Sequence, residues 1–281
     1  IVQEGSGHQL RLRAIAVRSI DVASLHKRAS LLKIDSVHGD FPGTIKVDEE
    51  NLALIINGRP VYFIPAPDPT KADYTAYGIS KALLIDNSGA FRDDTALSKH
   101  LEGKGVDKVL LTAPGKGVPN IVHGVNQNNI GKKDRIISAA SCTTNAISPV
   151  LKVVNDHFGI ERGHLETIHA YTNDQNLVDN MHSKYRRGRA AGLNMVITET
   201  GAGSAVAKAL PSLEGKLTSN AIRVPVPNGS LAILNLELKS KTSINGINTI
   251  LKKYALEGDL VEQIKYELKW MKFNFYKCQY S

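Results

Sequence analysis

Cys142 is the residue of this sequence whose setting best suits nucleophilic chemistry. Residues 135–137 predict the end of a short buried strand, and residues 147–154 repeat apolar side chains at helical spacing. The cysteine therefore lies where a strand gives way to a helix, with Ser141 and Thr143 beside it as helix-capping residue types. Free N–H groups and the positive end of the helix dipole lower the pKa of a thiol at such a position. The pattern favours a thiolate nucleophile, and a buried structural cysteine is the alternative.

His169 is the candidate partner for this thiol, because a cysteine nucleophile needs a base or a cation that moves its proton. It lies in residues 165–170, which are typical of a strand, and polar residues follow at positions 172–175. A buried, hydrogen-bonded histidine is the alternative, since the fold alone decides the distance between His169 and Cys142.

Two further features suit a negatively charged ligand. Residues 198–207 predict a strand end, a turn of small residues and a helix start, whose free N–H groups would face an anion. An ordinary tight turn is the alternative there. Arg223 lies among apolar residues and prolines of a predicted strand at residues 221–226, and burying its charge requires an anionic partner. That partner is either a phosphate or an internal carboxylate.

Strand-like and helix-like runs alternate in the first half of the chain, which is typical of a parallel sheet with crossover helices. The loops at residues 87–91 and 113–117 follow two buried strand-like runs, and ligands of open α/β sheets bind at such strand ends. A pair of ordinary turns is the alternative. Residues 5–7 lack a preceding strand and a third glycine, so they are not a dinucleotide fingerprint. The predicted strands are residues 10–17, 44–47, 52–56, 61–64, 82–85 and 108–112, and the predicted helices are residues 22–32 and 95–101.

The second half changes character, because its strand-like runs are longer and alternate without short crossover helices. This pattern predicts a mainly antiparallel sheet. We place the domain boundary beside the cysteine, so the two predicted domains are residues 1–141 and 142–281. The predicted strands of this half are residues 165–174, 193–198, 221–226 and 231–239, with helices at residues 244–256 and 260–270.

Composition and charge narrow the class of protein further. The 281 residues are 42% apolar and 22% charged, as in ordinary globular proteins. No apolar run approaches the ~20 residues that span a bilayer. We find no signal peptide, and two cysteines make no disulfide framework, so we expect a cytoplasmic protein without membrane attachment. The net charge of +8 suits a phosphorylated substrate or a dinucleotide, nucleic acid is not required as a partner, and we assign no metal site.

Four runs that carry these candidates resemble the glyceraldehyde-3-phosphate dehydrogenase family, and they occur in the family's order. They are residues 141–145, 169–175, 200–202 and 222–227, with supporting matches at residues 35–39 and 86–91. The resemblance covers nearly the whole chain. The N-terminal sequence resembles most the long bacterial members that carry an extra N-terminal region. The resemblance implies an α/β fold. The implied fold has two domains. The first is a partial Rossmann-type NAD-binding domain with a parallel sheet, and the second is an α+β catalytic domain with a mainly antiparallel sheet.

The resemblance also implies a mechanism. The Cys142 thiolate adds to the aldehyde of glyceraldehyde 3-phosphate, His169 takes the hydroxyl proton, and hydride passes to NAD. Inorganic phosphate then cleaves the thioester and yields 1,3-bisphosphoglycerate. Residues that match the family's phosphate contacts are Ser141, Thr143, Thr200 and Gly201 for inorganic phosphate, and Thr172 and Arg223 for the phosphate of the substrate. The implied cofactor contacts are Ser88, Gly89, Phe91 and Thr112.

Arg18 departs from the family pattern, because an acidic residue often follows the second strand and binds the ribose 2′-hydroxyl of NAD. An arginine there would accept a 2′-phosphate, so we expect some tolerance of NADP. A surface arginine at a strand end is the alternative. The basic residues 184–189 match a segment that reaches the cofactor site of a neighbouring subunit, which implies a homotetramer.

Both ends of the chain differ from the family. The sequence begins after the family's glycine-rich cofactor turn and ends before its last strand and C-terminal helix. From residue 269 the tail resembles nothing in the family, which favours a reading-frame shift or a truncation. Two other functions stay open. One is erythrose-4-phosphate dehydrogenase, which uses the same thiol and base with water as acyl acceptor. The other is an inactive, truncated fragment that binds nucleotide or nucleic acid.

Overall fold

The computed structural model describes residues 10–198 and 200–267, whose contacts form two compact units. The first unit contains residues 10–84 and 95–109, and the second contains residues 85–94 and the described residues from 110 onward. These units are groups of packed residues, so the domain boundary predicted between residues 141 and 142 stays a prediction.

The first unit begins with one strand and one long helix, followed by short strands. Its elements are β1 (Ala14–Val17), α1 (Val22–Lys33), β2 (Ile34–Asp35), β3 (Gly39–Asp40), β4 (Ile45–Asp48), β5 (Ala53–Ile56) and β6 (Arg59–Pro65). Helix α1 begins where it is predicted because Asp21 caps it and accepts the N–H of Ser24 at 2.6 Å. The polar residues 35–40 complete the small hairpin of β2 and β3.

The larger sheet of this unit has the strand order β1-β6-β5-β4, and only the β1–β6 pair is parallel. Strands β4, β5 and β6 are joined by turns of a few residues. Such turns are too short for a crossover connection, so these strands pair antiparallel. The sheet is therefore mixed where the alternation of runs predicts parallel pairing.

A three-stranded sheet follows, made of β7 (Ala82–Asp86), β8 (Val106–Leu111) and β9 (Ile136–Ser138) in that order. Helix α2 (Asp94–Glu102) connects the first two strands. The N–H of Ala82 donates to Gly105 O at one end of this pair, and the N–H of Thr112 donates to Asp86 O at the other. Residue numbers rise together along both strands, so β7 and β8 run parallel, as the crossover helix predicts.

The second unit holds the mainly antiparallel sheet that the sequence predicts. Its elements are α3 (Cys142–Phe158), β10 (Ile160–Ala170), β11 (Val196–Thr198), α4 (Ala202–Ala209), β12 (Leu217–Val224), β13 (Ser230–Leu238) and α5 (Ile244–Leu256). The strand order is β11-β12-β10-β13, and only β10 and β12 are parallel. Among residues 10–198 and 200–267, no helix is long and apolar enough to cross a membrane. The cytoplasmic location stays a prediction.

The helix predicted at residues 260–270 is wrong over residues 260–267, which form turns and extended chain. Gly258 has a φ of +84°, a left-handed conformation that ends helical continuation after α5. Leu260 and Ile264 are nevertheless buried beside Val153 of α3. Apolar residues at helical spacing therefore pack on α3 here from a segment that is not helical. Residues 268–270, together with the rest of the tail, lie outside the described residues.

Strand alternation decides which side chains of β10 reach the core. Leu165 is fully buried against Ile147 and Leu151 of α3 and against Val206 of α4. Successive side chains point to opposite faces of a strand, so His169 lies on the same face as Leu165. The helices therefore pack on the face of the sheet that carries the candidate base at its end.

Candidate functional site

Helix α3 begins at Cys142, so the thiol lies at the helix N-terminus that the spacing predicts. The Ser141 hydroxyl caps this helix and accepts the N–H of Thr144 at 3.0 Å. The side chain of Asn145, to which the sequence assigned no role, donates to Ala139 O at 2.7 Å and to Ser141 O at 2.9 Å. These bonds hold the turn that presents the thiol.

The structure brings His169 to Cys142, since the imidazole Nε2 lies 3.6 Å from Sγ. His169 is the penultimate residue of β10, and the parallel register pairs it with Arg223 of β12. Partners in register share a face of the sheet, and this is the face on which α3 packs. The nucleophile, the base and the predicted anion-binding arginine thus meet at one end of the second unit's sheet.

The hydrogen bonds of the imidazole decide which nitrogen can accept the thiol proton. His169 Nδ1 lies 2.7 Å from Ala170 O, a contact that is a hydrogen bond when Nδ1 carries a proton. Nε2, which faces Sγ, is then the basic nitrogen. Arg223 Nη1 also donates to Ala170 O at 3.0 Å and lies 2.5 Å from Nδ1. Nδ1 therefore lies between two groups with opposite requirements, because Ala170 O can only accept a proton from it and Arg223 Nη1 can only donate to it.

The thiol and the imidazole stabilise each other's charged forms. The hydrogen bond with His169 lowers the pKa of the Cys142 thiol to about 7, and burial acts in the opposite direction. The hydrogen bond with Cys142 raises the pKa of His169, while burial and the nearby charge of Arg223 oppose that rise. The contact therefore favours a thiolate beside an imidazolium.

Arg223 is a half-buried cation that pairs with no carboxylate in the described part of the chain. Burial lowers its pKa, and the positive charge of Arg187 lowers it further. An internal carboxylate was one of the two partners that the sequence left open. The described residues supply none, and the assignment of a phosphate to Arg223 stays a prediction.

Arg187 is the charged residue of this site that sequence reasoning missed. It was placed in the basic run at residues 184–189, which gave no sign that one member turns inward. Its guanidinium donates to the Asp174 carboxylate and, at 2.7 Å, to Thr198 Oγ1. The side chain is largely buried. Two guanidinium groups therefore act on the same region, with Asp174 engaged by one of them.

The remaining predicted phosphate contacts lie on the elements around this centre. Thr143 follows the nucleophile, and its hydrogen bonds contribute to the lowered pKa of Cys142. Thr200 accepts the N–H of Ala202 at 3.2 Å, and Gly201 is the residue that precedes α4. Thr172 is exposed just after β10. None of Thr172, Thr200 and Gly201 hydrogen-bonds to Cys142 or His169, so their assignment stays a prediction.

The predicted cofactor contacts of the second unit lie at the carboxyl ends of β7 and β8. The buried Asp86 carboxylate accepts the N–H and the hydroxyl of Ser88, both at 2.8 Å, and Thr112 donates its hydroxyl to Asp86 O at 3.1 Å. Gly89 has a φ of +75°, which a side chain would strain. Ser88, Gly89 and Thr112 are exposed and Phe91 is half-buried. This strand end fits a nucleotide, because exposed polar groups of parallel strands converge there.

Arg18 lies in the first unit, exposed, in the connection from β1 to α1. It lies between a strand and a helix, as the predicted elements require, and its contact with a ribose or a 2′-phosphate stays a prediction. Among the described residues, no group of three or more His, Cys, Asp and Glu side chains is placed to hold a metal ion.

Comparison with known proteins identifies similar sequences over most of the chain. Residues 4–94 match the family model for the glyceraldehyde 3-phosphate dehydrogenase NAD binding domain, and residues 141–281 match the model for its C-terminal domain. The second match includes the tail that the sequence analysis set apart from the family.

Individual relatives agree with the family models. A glyceraldehyde-3-phosphate dehydrogenase-like protein of Pseudomonas aeruginosa is 59% identical over 95% of this chain, and the chain spans 58% of that protein's length. Glyceraldehyde-3-phosphate dehydrogenase of Priestia megaterium is 41% identical over 85% of this chain, with 70% of the relative covered. Glyceraldehyde-3-phosphate dehydrogenase 1 of Bacillus subtilis shows the same identity and coverage.

Replacing the imidazole should return the thiol toward its ordinary ionisation. In a Cys278→Ser background, His169→Asn should raise the pKa of Cys142 above about 7, because the hydrogen bond that contributes most to lowering it is lost. The thiolate exists above its pKa, so the alkylation rate at pH 7 should fall by about tenfold. The measurement is the rate of iodoacetamide labelling across pH.

The matched control is His164→Asn on the same strand. His164 lies on the opposite face of β10, where it contacts Thr218 and Asn220, so its loss should leave the thiol titration unchanged. Superimposable pH profiles for the two variants would contradict the assigned role of His169.

Proposed function

Because the chain belongs to the glyceraldehyde-3-phosphate dehydrogenase family, we propose that it oxidises glyceraldehyde 3-phosphate to 1,3-bisphosphoglycerate, with inorganic phosphate as acyl acceptor and NAD as cofactor. The observation that carries the proposal is the 3.6 Å contact between Cys142 Sγ and His169 Nε2, beside the cation of Arg223, which has no carboxylate partner in the described part of the chain. The reaction requires a nucleophile, a base and a positively charged group that can bind a phosphate, all at one place.

Cys142 is the nucleophile of the proposed reaction. Its thiolate attacks the aldehyde carbon, and a carbon–sulfur bond forms while the carbonyl oxygen takes up negative charge. The N–H groups at the start of α3 face that oxygen, as does the His169 imidazolium, which can protonate it. His169 Nε2 then removes the same hydroxyl proton as the carbon is oxidised.

NAD, when bound, supplies the hydride acceptor for that oxidation. Ser88, Gly89, Phe91 and Thr112 at the ends of β7 and β8 are the residues of the second unit that we assign to holding it. Arg18 is the corresponding residue of the first unit. The contribution of the chain is to bind and orient the nucleotide, while Cys142 holds the acyl group as a thioester.

Positive charge in the site suits the two phosphate groups that the reaction handles. Arg223 and Thr172 are assigned to the phosphate of the substrate. Arg223 is the penultimate residue of β12, and Thr172 comes two residues after the end of the neighbouring strand β10. Ser141, Thr143, Thr200 and Gly201 are assigned to the inorganic phosphate that cleaves the thioester. A hydrogen-bonded, half-buried guanidinium selects an oxyanion over a neutral group of the same size.

The open face of the catalytic sheet supports self-association as a homotetramer. In-register residues Ile197, Ile222, Ile168 and Leu231 form an aliphatic row across all four strands. Ile197 and Leu231 at its ends are 58% and 56% exposed. An aliphatic row of this length on a single chain is typical of a surface that a second copy covers.

Reduction of NAD by the intact protein tests the reaction. Glyceraldehyde 3-phosphate should produce NADH only when inorganic phosphate is present, and Cys142→Ser should lower the rate by about 10⁴-fold or more, because the nucleophile is lost. Cys278→Ser is the control and should keep wild-type activity. Phosphate-independent oxidation of erythrose 4-phosphate would instead identify an erythrose-4-phosphate dehydrogenase. A folded protein with no saturable NAD binding would be an inactive fragment.

Arg18→Ala tests the proposed tolerance of NADP. Loss of a charge-assisted contact to a 2′-phosphate should lower kcat/KM with NADP by about tenfold and leave kcat/KM with NAD nearly unchanged. Arg11→Ala, which removes another exposed arginine before β1, is the matched control. Equal losses with both cofactors would refute this role of Arg18.

Sedimentation velocity tests the proposed assembly. The wild-type protein should sediment as a multiple of its 30.5 kDa chain, and Leu231→Asp should shift it toward the single chain, because a charge would be buried in the aliphatic row. Leu31→Asp, at a 77% exposed position on α1, should change nothing. A wild-type protein that sediments at the mass of one chain would exclude self-association.

A further inference from the structure

Ser138 is a fully buried polar residue four positions before the nucleophile. It is the last residue of β9, and its main chain is already paired, since its N–H donates to Pro119 O at 2.8 Å and its carbonyl accepts the N–H of Ile121 at 2.7 Å. The backbone at this position therefore needs nothing from the side chain. The hydroxyl must owe its place in the interior to other contacts.

The hydroxyl satisfies three backbone groups at once. It donates its proton to Ala113 O at 2.6 Å and accepts the N–H of Ala140 at 3.0 Å and of Gly115 at 3.2 Å. A hydroxyl has one donor and two acceptor sites, so the two N–H groups fill its acceptor sites, and Ala113 O is the nearer of two acceptors for its proton, with Asn120 Oδ1 at 3.1 Å. Removing it would take this partner from the N–H of Ala140 and the carbonyl of Ala113, whereas the N–H of Gly115 would keep Asn120 Oδ1 at 3.1 Å.

The Ala140 contact is the one that bears on the nucleophile. Ala140 has a φ of +58°, which is the left-handed conformation that residues with a Cβ rarely adopt. It is buried and immediately precedes Ser141, the residue that caps α3. A return of Ala140 to negative φ would redirect the chain just before Cys142 and move the thiol away from His169.

We propose that Ser138 is a positioning residue for the nucleophile: its hydroxyl holds Ala140 in the left-handed conformation that aims Cys142 Sγ at His169 Nε2. Asn145 contributes from the helix side through Ala139 O and Ser141 O. The turn is therefore held from both ends by side chains that touch no substrate.

Two buried asparagines connect this turn to the loop after β8. Asn120 Oδ1 lies 3.1 Å from both Ser138 Oγ and Gly115 N, and its amide donates to Gly115 O at 3.0 Å and to Val118 O at 2.9 Å. Asn126 donates to Asn120 O at 2.9 Å. Ser138 is thus anchored in a hydrogen-bonded loop and does not depend on the helix that it orients.

The pKa of the Cys142 thiol distinguishes a residue that positions the thiol from one that only stabilises the fold. Two charged groups act on Cys142. His169 of β10 contacts it directly, and Arg223 of β12 acts through its charge. Misalignment of Sγ with Nε2 would weaken the hydrogen bond that favours the thiolate. The inference rests on the proposed function in taking Cys142 as the nucleophile. Its test needs neither substrate nor cofactor, so it can fail while the dehydrogenase proposal stands.

The experiment compares pH profiles of iodoacetamide labelling for the full chain in a Cys278→Ser background. Ser138→Ala should raise the apparent pKa of Cys142 by about one unit, which lowers the labelling rate at pH 7 by about fivefold. Adding Ala140→Gly should bring the profile back toward wild type, because glycine adopts a positive φ without the help of the hydroxyl.

Ser148→Ala is the matched control. Ser148 is also fully buried, in α3 itself, but its hydroxyl has no hydrogen-bond partner among the described residues. This variant should keep the wild-type profile. Far-UV circular dichroism establishes that each variant is folded.

Each outcome decides the proposal. A folded Ser138→Ala protein with the wild-type profile overturns it, and so does a double variant that titrates no closer to wild type than Ser138→Ala. If Ser138→Ala does not fold, a folded double variant with a near-wild-type profile supports the proposal. If neither folds, Ser138 serves folding as a whole and the positioning role is refuted.

Discussion

Side chains on one face of β10 serve both the core and the chemistry of this protein. Leu165 packs beneath α3 and α4, and His169, four residues later on the same face, meets the N-terminus of α3. The register with β12 adds Arg223 beside His169. A slip of one residue would carry these side chains to the opposite face. The hydrophobic packing of Leu165 against α3 and α4 therefore favours the register that brings His169 to Cys142.

Positive charge accumulates at this site without full internal compensation. The helix N-terminus, the imidazole and Arg223 all favour negative charge at the same place, and the thiolate is the internal anion that they stabilise. Arg187 is paired with Asp174, whereas Arg223 shares a carbonyl with His169. A half-buried guanidinium without a carboxylate partner among the described residues opposes folding, and an oxyanion that binds beside it would relieve that cost.

Local patterns predicted the elements well where packing and propensity agree. Helix α1, with its Asp21 cap, and helix α5, with its Ser243 cap, begin and end within a residue or two of the predicted bounds. Residues 260–267 show the limit, because their apolar spacing imitates a helix while Gly258 turns the chain. The mixed pairing of the first sheet shows a second limit. The antiparallel pairing of β4, β5 and β6 depends on turn length more than on the periodicity of apolar residues.

The sequence by itself determined which residue types are present for chemistry: a cysteine at a strand-to-helix boundary, a histidine at a strand end and an arginine among apolar neighbours. It also determined the family, because those runs occur in a characteristic order. Only the tertiary structure decided that Sγ and Nε2 lie 3.6 Å apart, that Arg223 shares the carbonyl of Ala170 with His169, and that Arg187 turns inward. Contacts of this kind join segments distant in the chain, and sheet register and helix packing set them, whereas local periodicity records only each segment's own conformation.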